Sequence, residues 1–117
     1  MQINMTTFGG RTHHYIHETL RSLFSSDGRE TNAPVNLIMG SEDQEHVREY
    51  AAHPAIRIVP WDVETNNNLR WNCTLNKIRA LRWGEDDATL ICEDDIVFHP
   101  NSFSALRRAT VHVLCWH

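Results

Sequence analysis

Leu90-Ile91-Cys92-Glu93-Asp94-Asp95-Ile96-Val97-Phe98 sets three consecutive acids between two apolar runs, the first of which begins at Ala88. An apolar run of this length and composition reads as a strand buried on both faces, ending where the acids begin. Like charges buried side by side destabilise a fold by several kcal/mol unless a cation or a hydrogen-bond network offsets them. The triplet is therefore read as a working group of carboxylates at the end of a buried strand. Hard carboxylate oxygens of this kind select Mg2+ or Mn2+ rather than zinc.

Outward from this segment, short apolar runs alternate with helical periods from one end of the chain to the other, in the order β-α-β-α-β-α-β-α. Ile3 to Phe8 is expected as a first strand, followed by a helix capped by Thr12 and running to about Phe24, with Tyr15, Ile16, Leu20, Leu23 and Phe24 facing inward. Val35 to Met39 is the second strand. Ser41 and Gln44 have capping-box spacing for a helix whose Val47, Tyr50 and Ala51 face the sheet. Ile56 to Val59 alternates as a third strand. Asn66-Asn67-Asn68 opens a long helix to Trp83, with Leu69, Cys73, Ala80 and Leu81 on one side and Trp71, Leu75 and Ile78 on its neighbour. Apolar over so wide an arc, this helix is expected to be well covered. Glu85-Asp86-Asp87 makes a solvated turn before the fourth strand, Ala88 to Cys92. Pro100 and Ser102 open a helix carrying Phe103, Leu106 and Ala109, and Val111 to Trp116 reads as a strand cut short. The expected fold is a Rossmann-like three-layer α/β/α sandwich around a mostly parallel sheet.

The 117 residues fit one domain, and 41% hydrophobic with 22% charged residues describes an ordinary globular chain. A formal net charge of −4 with scattered Lys and Arg leaves no broad basic face. Nucleic acid and anionic membrane are accordingly not expected as partners. Cys73, Cys92 and Cys115 are odd in number and far apart in sequence, so they are expected as reduced core thiols. No apolar run reaches membrane-spanning length and the first residues show no leader pattern, so a cytoplasmic location is expected. His13, His14 and His17 are read as exposed helix histidines and His99 as part of a turn.

The position of the acids separates the phosphate-handling folds. Receiver domains and aspartate-nucleophile phosphatases carry their key Asp after the first strand, where this chain has Thr6, Thr7 and Phe8. The chain also has neither a Gly-rich Lys-Ser/Thr loop nor a G-x-G-x-x-G fingerprint after that strand. Here three βα steps precede the acids, and carboxylates at the C-terminal edge of a mostly parallel sheet lie where open α/β folds bind ligands.

Thr6-Thr7 with Arg11 beyond, Ser22-Leu23, Gly40-Ser41-Glu42-Asp43, Asn76-Lys77 and Leu90-Ile91-Cys92-Glu93-Asp94-Asp95-Ile96 follow one another in an order that resembles the donor-binding half of GT-A glycosyltransferases, particularly the family-2-like inverting group. The likeness covers roughly residues 3 to 110, and Glu93-Asp94-Asp95 looks like the E-D-D form of that family's DxD-type motif. It implies a hexosyltransferase-type enzyme moving a sugar from a nucleotide-diphosphate donor to a glycan or other hydroxyl acceptor, with Mn2+ or Mg2+. By position, Asp95 would ligate the metal, and Glu93 would contact the ribose or the metal. Asp94 would support the site and Asp43 would face the base. Thr7 and Arg11 would line base and phosphates, and Asn76, Lys77 or Arg79 would approach the diphosphate. Such an enzyme also needs an acceptor-binding part and a catalytic base, which these residues do not supply. Residues 1–117 are thus expected to form a single nucleotide-sugar-binding domain lacking that C-terminal part, with self-association through the apolar C-terminus. A nucleotidyltransferase of related fold and a truncated, non-catalytic nucleotide-binding domain stay open as alternatives, the former with Gly9-Gly10-Arg11 as a faint phosphate loop.

Overall fold

Four strands pair, all parallel, in a computed structural model whose described residues are 1–9, 15–26, 34–42, 45–63, 68–84, 89–106 and 108. They are β1 (Gln2–Thr7), β2 (Val35–Met39), β3 (Ile56–Val59) and β4 (Thr89–Glu93), in the spatial order β3-β2-β1-β4. Between them lie α1 (Ile16–Phe24), a 3-10 helix (Glu45–Ala52) and α2 (Leu69–Arg82), and a short helical stretch covers residues 102–106. The α/β reading holds, and helices cover both faces of the sheet. The expectations for Thr12, Gln44, Glu85 to Asp87, Ala109 and Val111 to Trp116 fall outside the described residues.

Side chains alternate across a strand, so each strand sorts its residues between two layers. On one face Ile3 and Met5 of β1, Val35 and Leu37 of β2 and Cys92 of β4 pack with Ile16, Leu20 and Leu23 of α1, with Val47 and with Phe103. The α1 stripe follows helical periodicity at i, i+4 and i+7. Tyr15 was expected on that stripe but precedes the first turn and is 52% exposed. In the 3-10 helix Val47 is buried and Tyr50 half-buried, three residues apart, whereas Ala51 is exposed, against expectation. A helix with three residues per turn stacks i over i+3 and leaves the next position outside.

The other face is built differently. Gln2, Asn4 and Asn36 point from β1 and β2 toward α2, and all three are buried. Asn36 Nδ2 donates to Asn4 Oδ1 at 2.8 Å, Asn4 Nδ2 donates to the Ala80 carbonyl at 2.8 Å, and Gln2 Nε2 reaches the Trp83 carbonyl at 2.7 Å. In return, Asn76 Nδ2 of α2 donates to the Ile38 carbonyl at 2.8 Å. Arg79 donates to the carbonyls of Met39 at 2.6 Å and Pro60 at 2.5 Å, and lies over the Trp61 ring. Among the described residues, Ile38, Val59 and Ala80 form the small apolar cluster on this side.

Helix α2 is therefore not covered over the wide apolar arc expected. Asn72, Asn76 and Ala80, at i, i+4 and i+8, are buried, while Trp71 at 52%, Ile78 at 39% and Leu81 at 68% exposure face outward. The physical reason is the polar layer beneath: amides over amides satisfy one another, and an apolar stripe placed there would orphan the buried strand amides. Arg79 is likewise drawn in to the strand ends by its bonds to the Met39 and Pro60 carbonyls. Asn68 caps the helix, its Oδ1 accepting from Trp71 N at 3.2 Å.

Candidate functional site

Strand order reverses at β1, whose neighbours are β2 on one side and β4 on the other. A crevice outside the C-terminal ends of the strands at such a switch point is the usual ligand site of open α/β sheets. The β1–β4 register pairs Met5 with Cys92 and Thr6 with Glu93. Cys92 turns into the apolar core, so Glu93 turns to the α2 face, where Lys77 Nζ lies 3.0 Å from its Oε1. Asp94 turns back: its Oδ2 accepts from Thr7 Oγ1 at 2.8 Å and from the Phe8 amide at 3.3 Å, and its carbonyl accepts from Thr19 Oγ1 at 2.8 Å. Only 4% exposed, Asp94 thus ties the end of β4 to the end of β1 and to α1.

A cavity of about 190 Å³ opens at this point. Thr6, Thr7 and Phe8 line it from β1, Cys73, Asn76 and Lys77 from α2, and Glu93 and Asp94 from β4. Whole small-molecule pockets run to about 300–1,000 Å³, so this one has room for only part of such a ligand. Gly40 makes the close approach of β2 possible: its amide donates to the Thr7 carbonyl at 2.8 Å, and a Cβ there would stand 2.9 Å from that oxygen.

The electrostatics follow from these contacts. The hydrogen bond and charge of Glu93 hold the Lys77 ammonium above its ordinary pKa. Burial, reinforced by Asp94 and Glu93, pushes the Cys92 thiol up to about 12. Cys73, expected in the core, is exposed instead on the cavity wall.

Of the residues singled out in the sequence, Thr7, Asn76, Lys77, Glu93 and Asp94 come together on one cavity. Asp95 follows in the turn, exposed and outside the cavity lining, while Arg11 and Asp43 lie outside the described residues. Asn76 also braces the strands: its amide nitrogen donates to the Ile38 carbonyl and its oxygen accepts from Arg79 at 3.0 Å. Sequence reasoning missed Thr6, Phe8 and Cys73. The spacing Cys73–Lys77, i to i+4, was the available signal for the last. His17 is exposed and pairs with Glu49 and Tyr50 rather than joining this site, and His99 Nδ1 accepts from the Asn101 amide.

No protein-family profile and no curated protein sequence matches the chain. Solved structures do resemble it. The crystal structure of S. aureus TarS 1-349 superposes with a TM-score of 0.58 at 19% identity, over 94% of this chain and 32% of that one. The S. aureus TarS crystal structure gives 0.59 at 18% identity, over 92% and 19%. TarS 1-349 in complex with UDP-GlcNAc gives 0.58 at 16% identity, over 94% and 30%. The chain shares the fold of the corresponding part of these TarS structures. The chain spans about a third or less of the length of these structures.

Glu93 and Asp94 place two carboxylates on the cavity, and among the described residues no group of three His, Cys, Asp or Glu side chains converges. That donor set fits Mg2+ or a similar hard ion, which takes one or two carboxylates and completes its shell with waters and phosphate oxygens. No helix among the described residues is long and apolar enough to cross a membrane.

Proposed function

We propose that the chain is the donor-binding portion of a glycosyltransferase, holding the diphosphate of a nucleotide sugar at the C-terminal ends of β1 and β4. The observation that carries this reading is the convergence of Lys77, Glu93 and Asp94 on one cavity at the switch point of a parallel sheet. The likeness to a TarS structure that holds UDP-GlcNAc supports a UDP-sugar as the first donor to test.

The residues divide the work by their existing bonds. Asp94, pinned by Thr7 and Phe8, fixes the floor of the site, and Asn76 fixes α2 above it. Lys77 and Glu93, both partly exposed, are the groups that reach a ligand: the ammonium takes phosphate oxygens and the carboxylate takes ribose hydroxyls or a cation. A divalent ion, Mn2+ or Mg2+, would be held by Glu93 with Asp94 and Asp95 beside it, and when bound would neutralise the leaving nucleoside diphosphate. The hydroxyl of a glycan or other acceptor would attack the anomeric carbon.

Calorimetric titration with UDP and UDP-GlcNAc, each with and without Mn2+, tests the reading. Binding strengthened by Mn2+ and weakened roughly tenfold or more in Glu93→Ala is expected. Absence of binding under both conditions, or tighter binding of UTP than of either diphosphate, rejects it, the latter in favour of a nucleotidyltransferase.

A further inference from the structure

Lys77 and Glu93 come from different elements, α2 and β4, and meet over the cavity mouth with both side chains about half in solvent, at 60% and 47% exposure. Helix α2 is held to the sheet by directional bonds, so the lysine stem is anchored while its tip is free to swing. The charged residues lining the cavity are Glu93, Asp94 and Lys77. Lys77 neutralises one of the two carboxylates, and Asp94 is committed to Thr7 and Phe8. Among the described residues this leaves the lining with one more carboxylate than cation, a poor place for a diphosphate unless a cation is added.

A divalent ion approaching Glu93 meets an ammonium already 3.0 Å from Oε1. An ion bound to that carboxylate would come within a few ångströms of the ammonium, and like charges so close repel even near a protein surface, so ion and ammonium compete for the same carboxylate. We propose that Lys77 is the resident counter-ion of Glu93, and that a divalent ion displaces it from the carboxylate onto the phosphates of an incoming nucleoside diphosphate. The exchange rests on the donor-binding reading above. It makes Lys77 a positioning residue for Glu93 before ligand arrives and a phosphate contact afterwards, and it makes empty-site metal affinity deliberately weak. It also leaves the site a cation of its own when no metal is present.

The test uses Mn2+ alone, followed as free ion by electron paramagnetic resonance, on wild type, Lys77→Met and Lys77→Arg. With no nucleotide present, Lys77→Met is expected to bind Mn2+ roughly three- to tenfold more tightly than wild type, while Lys77→Arg, which keeps the charge, stays within about twofold. Equal affinity in wild type and Lys77→Met, or no detectable Mn2+ binding by either at millimolar concentrations, overturns the exchange. In a second arm, UDP is titrated in EDTA. Affinity is expected to fall roughly tenfold in Lys77→Met, and unchanged affinity overturns the phosphate half of the proposal. Failure of wild type to bind UDP with or without Mn2+ rejects the donor-binding reading instead, a result that the metal-only titration does not depend on.

Discussion

Thr7 and Asp94 form the smallest unit on which the site depends. The threonine hydroxyl is one of the donors that keep a buried carboxylate in place at the junction of β1 and β4. Thr7→Val keeps the shape of the side chain and removes the donor, leaving Asp94 with the Phe8 amide at 3.3 Å on that oxygen. A loss of about 1–3 kcal/mol of folding stability is expected in urea titrations, with Thr7→Ser restoring most of it. A valine variant as stable as wild type would mean that the carboxylate finds equivalent donors elsewhere. The same substitution loosens the turn carrying Glu93, so it is expected to weaken any ligand held by that residue.

At the scale of elements, α2 reverses the ordinary rule for a surface helix. Asn76→Leu adds an apolar side chain to a buried position, yet it removes the donor to the Ile38 carbonyl and is expected to cost about 1–3 kcal/mol. Leu81→Lys removes an apolar side chain that is 68% exposed and is expected to stay within about 0.5 kcal/mol of wild type. Urea midpoints of the two variants check the contrast, and a greater cost for Leu81→Lys would restore the conventional orientation. This helix also marks the limit of what the sequence made legible. The strands were readable from short segments rich in apolar residues, alternating with polar ones in β1 and β3, and the acid triplet was readable because it ends one of them, although β4 is largely exposed and not buried on both faces as expected. The buried face of α2 was not, because apolar arcs are assigned inward by default. Only the pairing of β1 with β2 reveals that Asn4 and Asn36 lie side by side beneath it. Asn is disfavoured in strands, so two of them at matching parity were the overlooked signal. The family resemblance likewise assigned the metal to Asp95 and a supporting role to Asp94. It carried no information on the turn that buries Asp94 against Thr19 and leaves Asp95 outside.

For the molecule as a whole, proton linkage points one way at high pH. The Cys92 thiol, raised from 9.0 to about 12, stays neutral in the folded chain after its unfolded counterpart ionises. Its contribution to stability is fully present below pH 9 and declines from there toward pH 12, by roughly 1.4 kcal/mol for each pH unit. Tyr50, raised by burial and by Glu49, and Lys77, raised by Glu93, act in the same direction. Urea midpoints under reducing conditions are thus expected to fall between pH 8.5 and pH 10.5, and to fall less steeply in Cys92→Ala. Equal slopes in the two proteins would remove Cys92 from the account.

The two layers flanking the sheet also differ in how they respond to temperature. Exposing the apolar layer under α1 raises the heat capacity of the unfolded chain, whereas exposing the amide layer under α2 lowers it. Apolar packing weakens on cooling, because its driving force near room temperature is entropic, and amide bonds are not subject to that loss. On cooling, α1 is therefore expected to loosen before α2 does. The sandwich thus carries Lys77, on the cavity wall, on the layer that depends less on the apolar driving force that fades as water becomes a better solvent for hydrocarbon.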